Sequence, residues 1–151
     1  EYFPLTSSSS YGLKPCGMGQ DDAKELKADG ILFQEPKAPE LLAAGVGRDW
    51  PDARGVFTSK DHRFAAWVNE EEHLSLIVSR QDGNLKDAFA CLCSVEKALS
   101  HSLQQEGHAF SCSERLGFLM AMPERLGTGF SVSVTLRLPK LAVSANLSSL
   151  C

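Results

Sequence analysis

Hydrophobic and polar positions change period several times along this chain, and each change predicts an element. In "NLKDAFACLCSVEKALSHSLQQEG", residues 84–107, the apolar positions Leu85, Ala88, Phe89, Leu92, Val95, Leu99 and Leu103 recur every three or four residues. That spacing stacks them on one face of a helix. Asn84 is placed to cap its start, with Asp87 three residues on, and Gly107 to end it. Cys91 and Cys93 lie two apart within this pattern and point to different sides, Cys91 reading as a small core residue.

Upstream the period shortens. "GVFTS" (55–59), "RFAAWV" (63–68) and "LSLIVS" (74–79) are short β-type runs, and "KDH" (60–62) and "NEEEH" (69–73) are polar enough to turn one into the next. The expectation is a three-stranded antiparallel meander. "LGFLMAM" (116–122) and "FSVSVTLRL" (130–138) read as two more strands, the second alternating Phe130, Val132, Val134, Leu136 and Leu138 on one face. Two shorter helical stretches precede the meander: 21–30, acidic at its start and stopped by Gly30, and 38–45, ending at Gly45. "TSSSSYGLKPCGMG" (6–19) reads as a Ser/Gly-rich loop or insertion, and "RDWPDARG" (48–55) as a structured loop. The simplest packing is α+β: an antiparallel sheet flanked by helices.

Composition narrows the classes. A chain of 151 residues with 43% hydrophobic and 23% charged residues suits one globular domain with a core of its own. A formal charge of −4 argues against a general nucleic-acid or anionic-membrane binder. No apolar run approaches the ~20 residues of a membrane span. The five cysteines are odd in number and irregularly spaced, with no zinc pattern, and read as reduced thiols of an intracellular protein. The chain starts at Glu1 rather than Met, with no signal-peptide pattern, and reads as a piece of a longer protein or a processed product.

Candidate chemistry centres on "WVNEEEHLSLIV" (67–78), where Glu70, Glu71 and Glu72 stand between two strand-like runs. Taken alone the triplet reads first as a charged, solvated turn, since charge runs usually face water, with a carboxylate site for a cationic substrate as the alternative. If the segment is extended, Glu70 and Glu72 share one face and Glu71 takes the other.

Four blocks give the triplet a context. "LLAAGVGRDWPDARGVF" (41–57), "FAAWVNEEEHLSLI" (64–77), "GHAFSCSERLGFLMAMPERLGTG" (107–129) and "VTLRLPKL" (134–141) follow the order and spacing of the phosphagen, or ATP:guanido, kinases. The chain resembles the C-terminal catalytic domain of that family from "EYFPLT" to about Leu141, and its tryptophan loop is most similar to the creatine kinase branch. The resemblance implies transfer of the terminal phosphoryl group of ATP to a guanidino acceptor such as creatine or arginine, with ATP or ADP bound as its Mg2+ complex. It implies a catalytic domain incomplete at both ends. A helical domain with the guanidino-specificity loop would lie upstream, as would a strand of nucleotide-binding arginines, and a last arginine and a flexible loop would lie downstream. Implied partners are the guanidino molecule, the missing upstream domain and a second copy, with neither nucleic acid nor membrane.

Residue by residue, the acidic motif of the family corresponds to Asn69, Glu70, Glu71 and Glu72, with Glu72 standing where the family has Asp. Glu71 corresponds to its catalytic carboxylate. A carboxylate accepts two parallel N–H bonds from a guanidinium, aligning the reactive nitrogen, and is able to take its proton. On the phosphate side the chain departs from the pattern. Ser75 and Ser131 stand where the family has arginines, Thr58 and Thr135 where it has histidines, and Met122 where it has a reactive cysteine. A hydrogen bond to a charged group contributes roughly 1.5–3 kcal/mol, so losing two arginine contacts costs about 3–6 kcal/mol, or about a hundred- to ten-thousand-fold in affinity. Arg125 is the candidate substitute cation, against the plainer reading of a solvated loop arginine. Three functional readings stay open: an ATP:guanido phosphotransferase, a non-catalytic interaction module on the same fold, and a degenerate fragment.

Overall fold

A computed structural model describes residues 1–139; Cys151 and the "SANLSSLC" segment lie outside the described residues. The elements in chain order are β1 (Tyr2–Pro4), α1 (Gln20–Ala28), α2 (Pro39–Ala43), β2 (Gly55–Thr58), β3 (Phe64–Val68), β4 (Leu74–Val78), α3 (Leu85–Gln105), β5 (Cys112–Ser113) and β6 (Gly117–Phe118), followed by a 3-10 turn over Pro123–Arg125.

The expected meander is present. Strands β1 to β4 form one antiparallel sheet in sequential order, with Val56 opposite Trp67 and Trp67 opposite Ser75. Directly paired residues present their side chains to the same face, so Val56, Trp67 and Ser75 make one row and Thr58, Ala65 and Ile77 the next. This face carries the core: Leu5, Met18, Leu26, Ile31, Phe33, Val56 and Ala65 are buried together, with Trp50, Trp67 and Ile77 packed against them. Trp67 also donates its indole N–H to the Ile31 carbonyl at 2.7 Å, tying the segment after α1 to the sheet.

Residues 6–19 form a hydrogen-bonded loop. Ser8 is fully buried, the Ser7 and Met18 amides bond to the Cys16 and Pro4 carbonyls, and Met18 enters the core. Its serines reach the tryptophan loop: Ser9 donates its amide to Asp52 at 2.6 Å, and the Ala53 amide donates to Ser10 Oγ at 2.6 Å. The Ser9 amide holds the Asp52 carboxyl below its ordinary value. Arg54 is buried beneath this loop and donates to the carbonyls of Asp52, Val46 and Arg48 while lying over the Trp50 ring.

Helix α3 begins as expected, with Asn84 accepting from the Asp87 amide and Gly107 leaving it at φ +78. Three details differ from expectation. First, α3 lies against β4 but buries none of its residues fully; Leu85 and Phe89 stay more than half exposed, and Cys91 faces solvent rather than a core. Second, of residues 116–122 only Gly117–Phe118 pairs as a strand, with Cys112–Ser113. Third, residues 130–138 form no strand: no ladder partner lies beside them among the described residues, and their apolar side chains are exposed. A strand needs a neighbour for its N–H and C=O groups, and alternation alone does not supply one.

Candidate functional site: the carboxylate turn

The β3–β4 connection, residues 69–73, is a bent turn rather than an extended segment. Asn69 adopts φ +54, a left-handed conformation that Asn tolerates better than most residues, and its amide bonds to the His73 carbonyl at 3.0 Å. The Asn69 side chain then works in two directions. Its Nδ2 donates to the Ala53 carbonyl at 2.8 Å, and its Oδ1 meets His73 Nδ1 at 3.1 Å. Asn69 therefore joins the acidic turn to the tryptophan loop, and His73 braces the turn.

The bend sends the three glutamates to different surroundings. Glu72 is 9% exposed; its Oε2 accepts from the Ala121 amide at 2.7 Å, while its buried Oε1 has no hydrogen-bond partner. Glu71 is three-quarters buried, and its Oε2 lies 2.7 Å from Arg125 Nη1. Glu70 bends back so that its Oε2 accepts from the Glu71 amide at 2.6 Å. Burial pushes the Glu70 carboxyl above its ordinary value, and the neighbouring charges of Glu71 and Glu72 push the same way.

The loop that meets these acids is shaped by its glycines. Phe118 and Gly127 exchange backbone hydrogen bonds at 2.7 and 3.4 Å, closing the segment between them. Gly117 sits at φ +72, where a Cβ would stand 2.4 Å from the Gly127 carbonyl oxygen, so no other residue fits this approach. Within the closed segment the Arg125 amide bonds to the Met122 carbonyl, forming the short turn that delivers Arg125 to Glu71. Two of the sequence blocks, 64–77 and 107–129, thus meet through Glu71–Arg125 and Glu72–Ala121.

The other sequence-derived positions are less concentrated. Thr58 and Ser75 share the core-side face of the sheet. Thr58 is buried, its hydroxyl donating to the Phe64 carbonyl at 3.1 Å, and Ser75 is half-buried. Ser131 and Thr135 lie in the exposed 130–138 segment, outside the sheet. The structure therefore gathers Asn69, Glu70, Glu71, Glu72 and Arg125 into one place, brings Thr58 and Ser75 onto one sheet face, and leaves Ser131 and Thr135 apart. Nothing in the sequence points to the Ala121 amide, because a backbone donor carries no residue-type signal. Among the described residues, no group of three or more His, Cys, Asp or Glu side chains is placed to hold a metal ion, and no helix is long and apolar enough to cross a membrane.

Residues 6–151 match the profile of the ATP:guanido phosphotransferase C-terminal catalytic domain, and the chain belongs to that family. Creatine kinase M-type of Gallus gallus is 40% identical over 141 residues, covering 93% of this chain and 34% of that protein. The flagellar creatine kinase of Strongylocentrotus purpuratus is 34% identical over 149 residues, covering 99% of this chain and 12% of that protein. Among solved structures, a lombricine kinase superposes with a TM-score of 0.76 at 33% identity, over 85% of this chain and 33% of that one. The duplicated taurocyamine kinase from Schistosoma mansoni, with bound transition state analog components, gives 0.70 at 34% identity, over 85% of this chain and 16% of that one. The chain thus spans about a third or less of the relatives it matches. These comparisons and the observed sheet establish the α+β fold expected from the sequence.

Proposed function

We propose that this chain is the carboxylate-bearing part of an ATP:guanido phosphotransferase catalytic domain, with Glu71 as the group that receives a guanidinium. The observation that carries the reading is the Arg125 guanidinium seated at 2.7 Å on Glu71. A position that holds one guanidinium as a close ion pair has the charge to hold another. Glu72 fixes the height of the turn through Ala121, and Asn69 fixes its angle through Ala53. Burial, with the charges of Glu71 and Glu72 beside it, raises the Glu70 carboxyl above its ordinary value.

In this reading Glu71 orients the guanidino nitrogen for in-line attack and takes its proton, while charge neutralisation on the phosphoryl side has to come from cations. Ser75 and Ser131 donate hydrogen bonds without charge, so the nucleotide side is weak in this chain. The magnesium that the family reading implies would enter on the nucleotide phosphates, as part of the substrate. That imbalance favours a second reading, a module that keeps the fold and has lost nucleotide binding; an upstream domain and a second copy are the partners either reading calls for.

Calorimetric titration with a panel of guanidino compounds and with Mg-ADP, on the chain and on Glu71→Gln, tests the proposal. Saturable guanidino binding lost in Glu71→Gln is the expected result. Mg-ADP is expected to bind about a hundred- to ten-thousand-fold more weakly than to a relative carrying both arginines. Guanidino binding unaffected by Glu71→Gln would refute the assignment. Tight Mg-ADP binding would show that other cations have rebuilt the phosphate side and would remove the second reading.

A further inference from the structure

We infer that Arg125 is an internal guanidinium that occupies the Glu71 carboxylate, so that a free guanidino ligand binds only by displacing it. The inference rests on the reading of Glu71 given above and adds a competitor built into the chain. Its first support is chemical identity: the group on Glu71 is itself a guanidinium, held through Nη1 to Oε2 at 2.7 Å.

The second support is how the arginine is delivered. Its loop is anchored to the same turn three residues before the 3-10 segment's centre, through the Ala121 amide on Glu72, and is closed behind by the Phe118–Gly127 hydrogen bonds. Such a short tether holds a side chain near its target at an effective concentration on the order of millimolar. The third support is displaceability. Arg125 is 48% exposed, Glu71 is 26% exposed, and a single contact joins them, so the pair is open to solvent. A buried, two-pronged pair would be a structural rivet; a half-exposed, one-pronged pair exchanges. The fourth is spare capacity beside it: Glu72 Oε1 is buried with no partner, so the turn retains an acceptor that Arg125 does not occupy.

The consequence is quantitative. If the contact closes with the modest constant of an exposed ion pair, the open fraction is about one-half to one-sixth, and the apparent dissociation constant of a free guanidino ligand rises by about two- to sixfold.

The test uses methylguanidine as probe and methylammonium as charge control. Both are titrated by NMR into the 151-residue chain, Arg125→Asn, Arg125→Lys, and Arg125→Asn combined with Glu71→Gln. Arg125→Asn is expected to bind methylguanidine about two- to sixfold more tightly than the chain itself. Methylammonium should gain less, Arg125→Lys should fall between, and the added Glu71→Gln should abolish the gain. Equal methylguanidine affinity in the chain and in Arg125→Asn, with Glu71→Gln still lowering it, would overturn the inference and leave the Glu71 reading standing. Equal gains for the two probes would reduce Arg125 to a nearby charge and also overturn it. A gain that survives Glu71→Gln, or no binding to any variant, would overturn both. If Arg125→Asn does not fold, Arg125→Lys carries the comparison.

Discussion

Glu72 accepts a hydrogen bond at 2.7 Å from the amide of Ala121, 49 residues further along the chain. This contact fastens the loop that carries Arg125 to the turn that carries Glu71, and it does so with a carboxylate that is almost fully buried. A buried acceptor used this way orders two segments at once. It also leaves one oxygen, Oε1, without a partner, which offsets part of the gain.

Glu72 therefore separates the bond from the charge. Glu72→Ala should lower stability by about 1–3 kcal/mol, because the Ala121 amide loses its acceptor. Glu72→Gln keeps an acceptor oxygen and should cost about 1 kcal/mol or less. Urea unfolding of the two variants checks the order; a larger loss for Gln than for Ala would show that the charge, not the bond, is what the site uses.

Glu70 sets a pH dependence. Burial, aided by Glu71 and Glu72, raises its pKa in the folded chain. Below the ordinary carboxylate value it is protonated in both states and costs nothing. As pH rises through that value the unfolded chain releases the proton first, so folded stability falls until the raised folded value is passed. Glu70→Gln should then have a higher Tm than the parent near pH 7, with the difference vanishing towards pH 3. Thermal melts across that range would contradict the assignment if the difference grew on acidification.

Arg54 makes the tryptophan loop expensive to alter. One guanidinium satisfies the carbonyls of Asp52, Val46 and Arg48 and packs over Trp50, a set of directions that an ammonium does not match. Arg54→Lys should destabilise the chain by about 3 kcal/mol or more, with the loss of two charge-assisted bonds at roughly 1.5–3 kcal/mol each setting the scale. Chemical denaturation checks it, and a change near zero would mean that the loop rests on its serine contacts alone.

The 130–138 segment shows Phe130, Val132, Val134, Leu136 and Leu138 to solvent, with Phe130 edge-on to Phe89 at 5.4 Å. An alternating, unpaired apolar segment invites pairing between copies. Val134→Lys with Leu136→Lys should raise the concentration at which the chain stays monomeric in sedimentation. Unchanged self-association would place the sticky surface elsewhere, with the exposed Leu85 and Phe89 of α3 as the next candidates.

The sequence made much of this legible and left specific parts out. Period alone locates β2, β3, β4 and α3, because each packs one side, in α3 only partly, against a neighbour in the chain. Asn84 and Asp87 even marked the cap. Strand β1 was missed: three residues ending in Pro4 carry no alternation to read. The 130–138 run alternates correctly and still forms no strand, since pairing belongs to two segments and pattern to one. At the site, the motif marks Asn69 and the three glutamates, and Arg125 stands out as a candidate cation. The meeting of Arg125 with Glu71 was not readable, because it depends on the Gly117–Gly127 closure, a property of backbone geometry.

The central claim is that Glu71 is a carboxylate built to hold a guanidinium. The most direct measurement is the side-chain 15N spectrum of Arg125 in the chain and in Glu71→Gln, with methylguanidine added to each. The account predicts an Arg125 guanidinium signal shifted from its solvated position, which reverts to a solvated signal in Glu71→Gln and reverts likewise as methylguanidine displaces it. An Arg125 signal that is already solvent-like in the parent and unmoved by Glu71→Gln would contradict it.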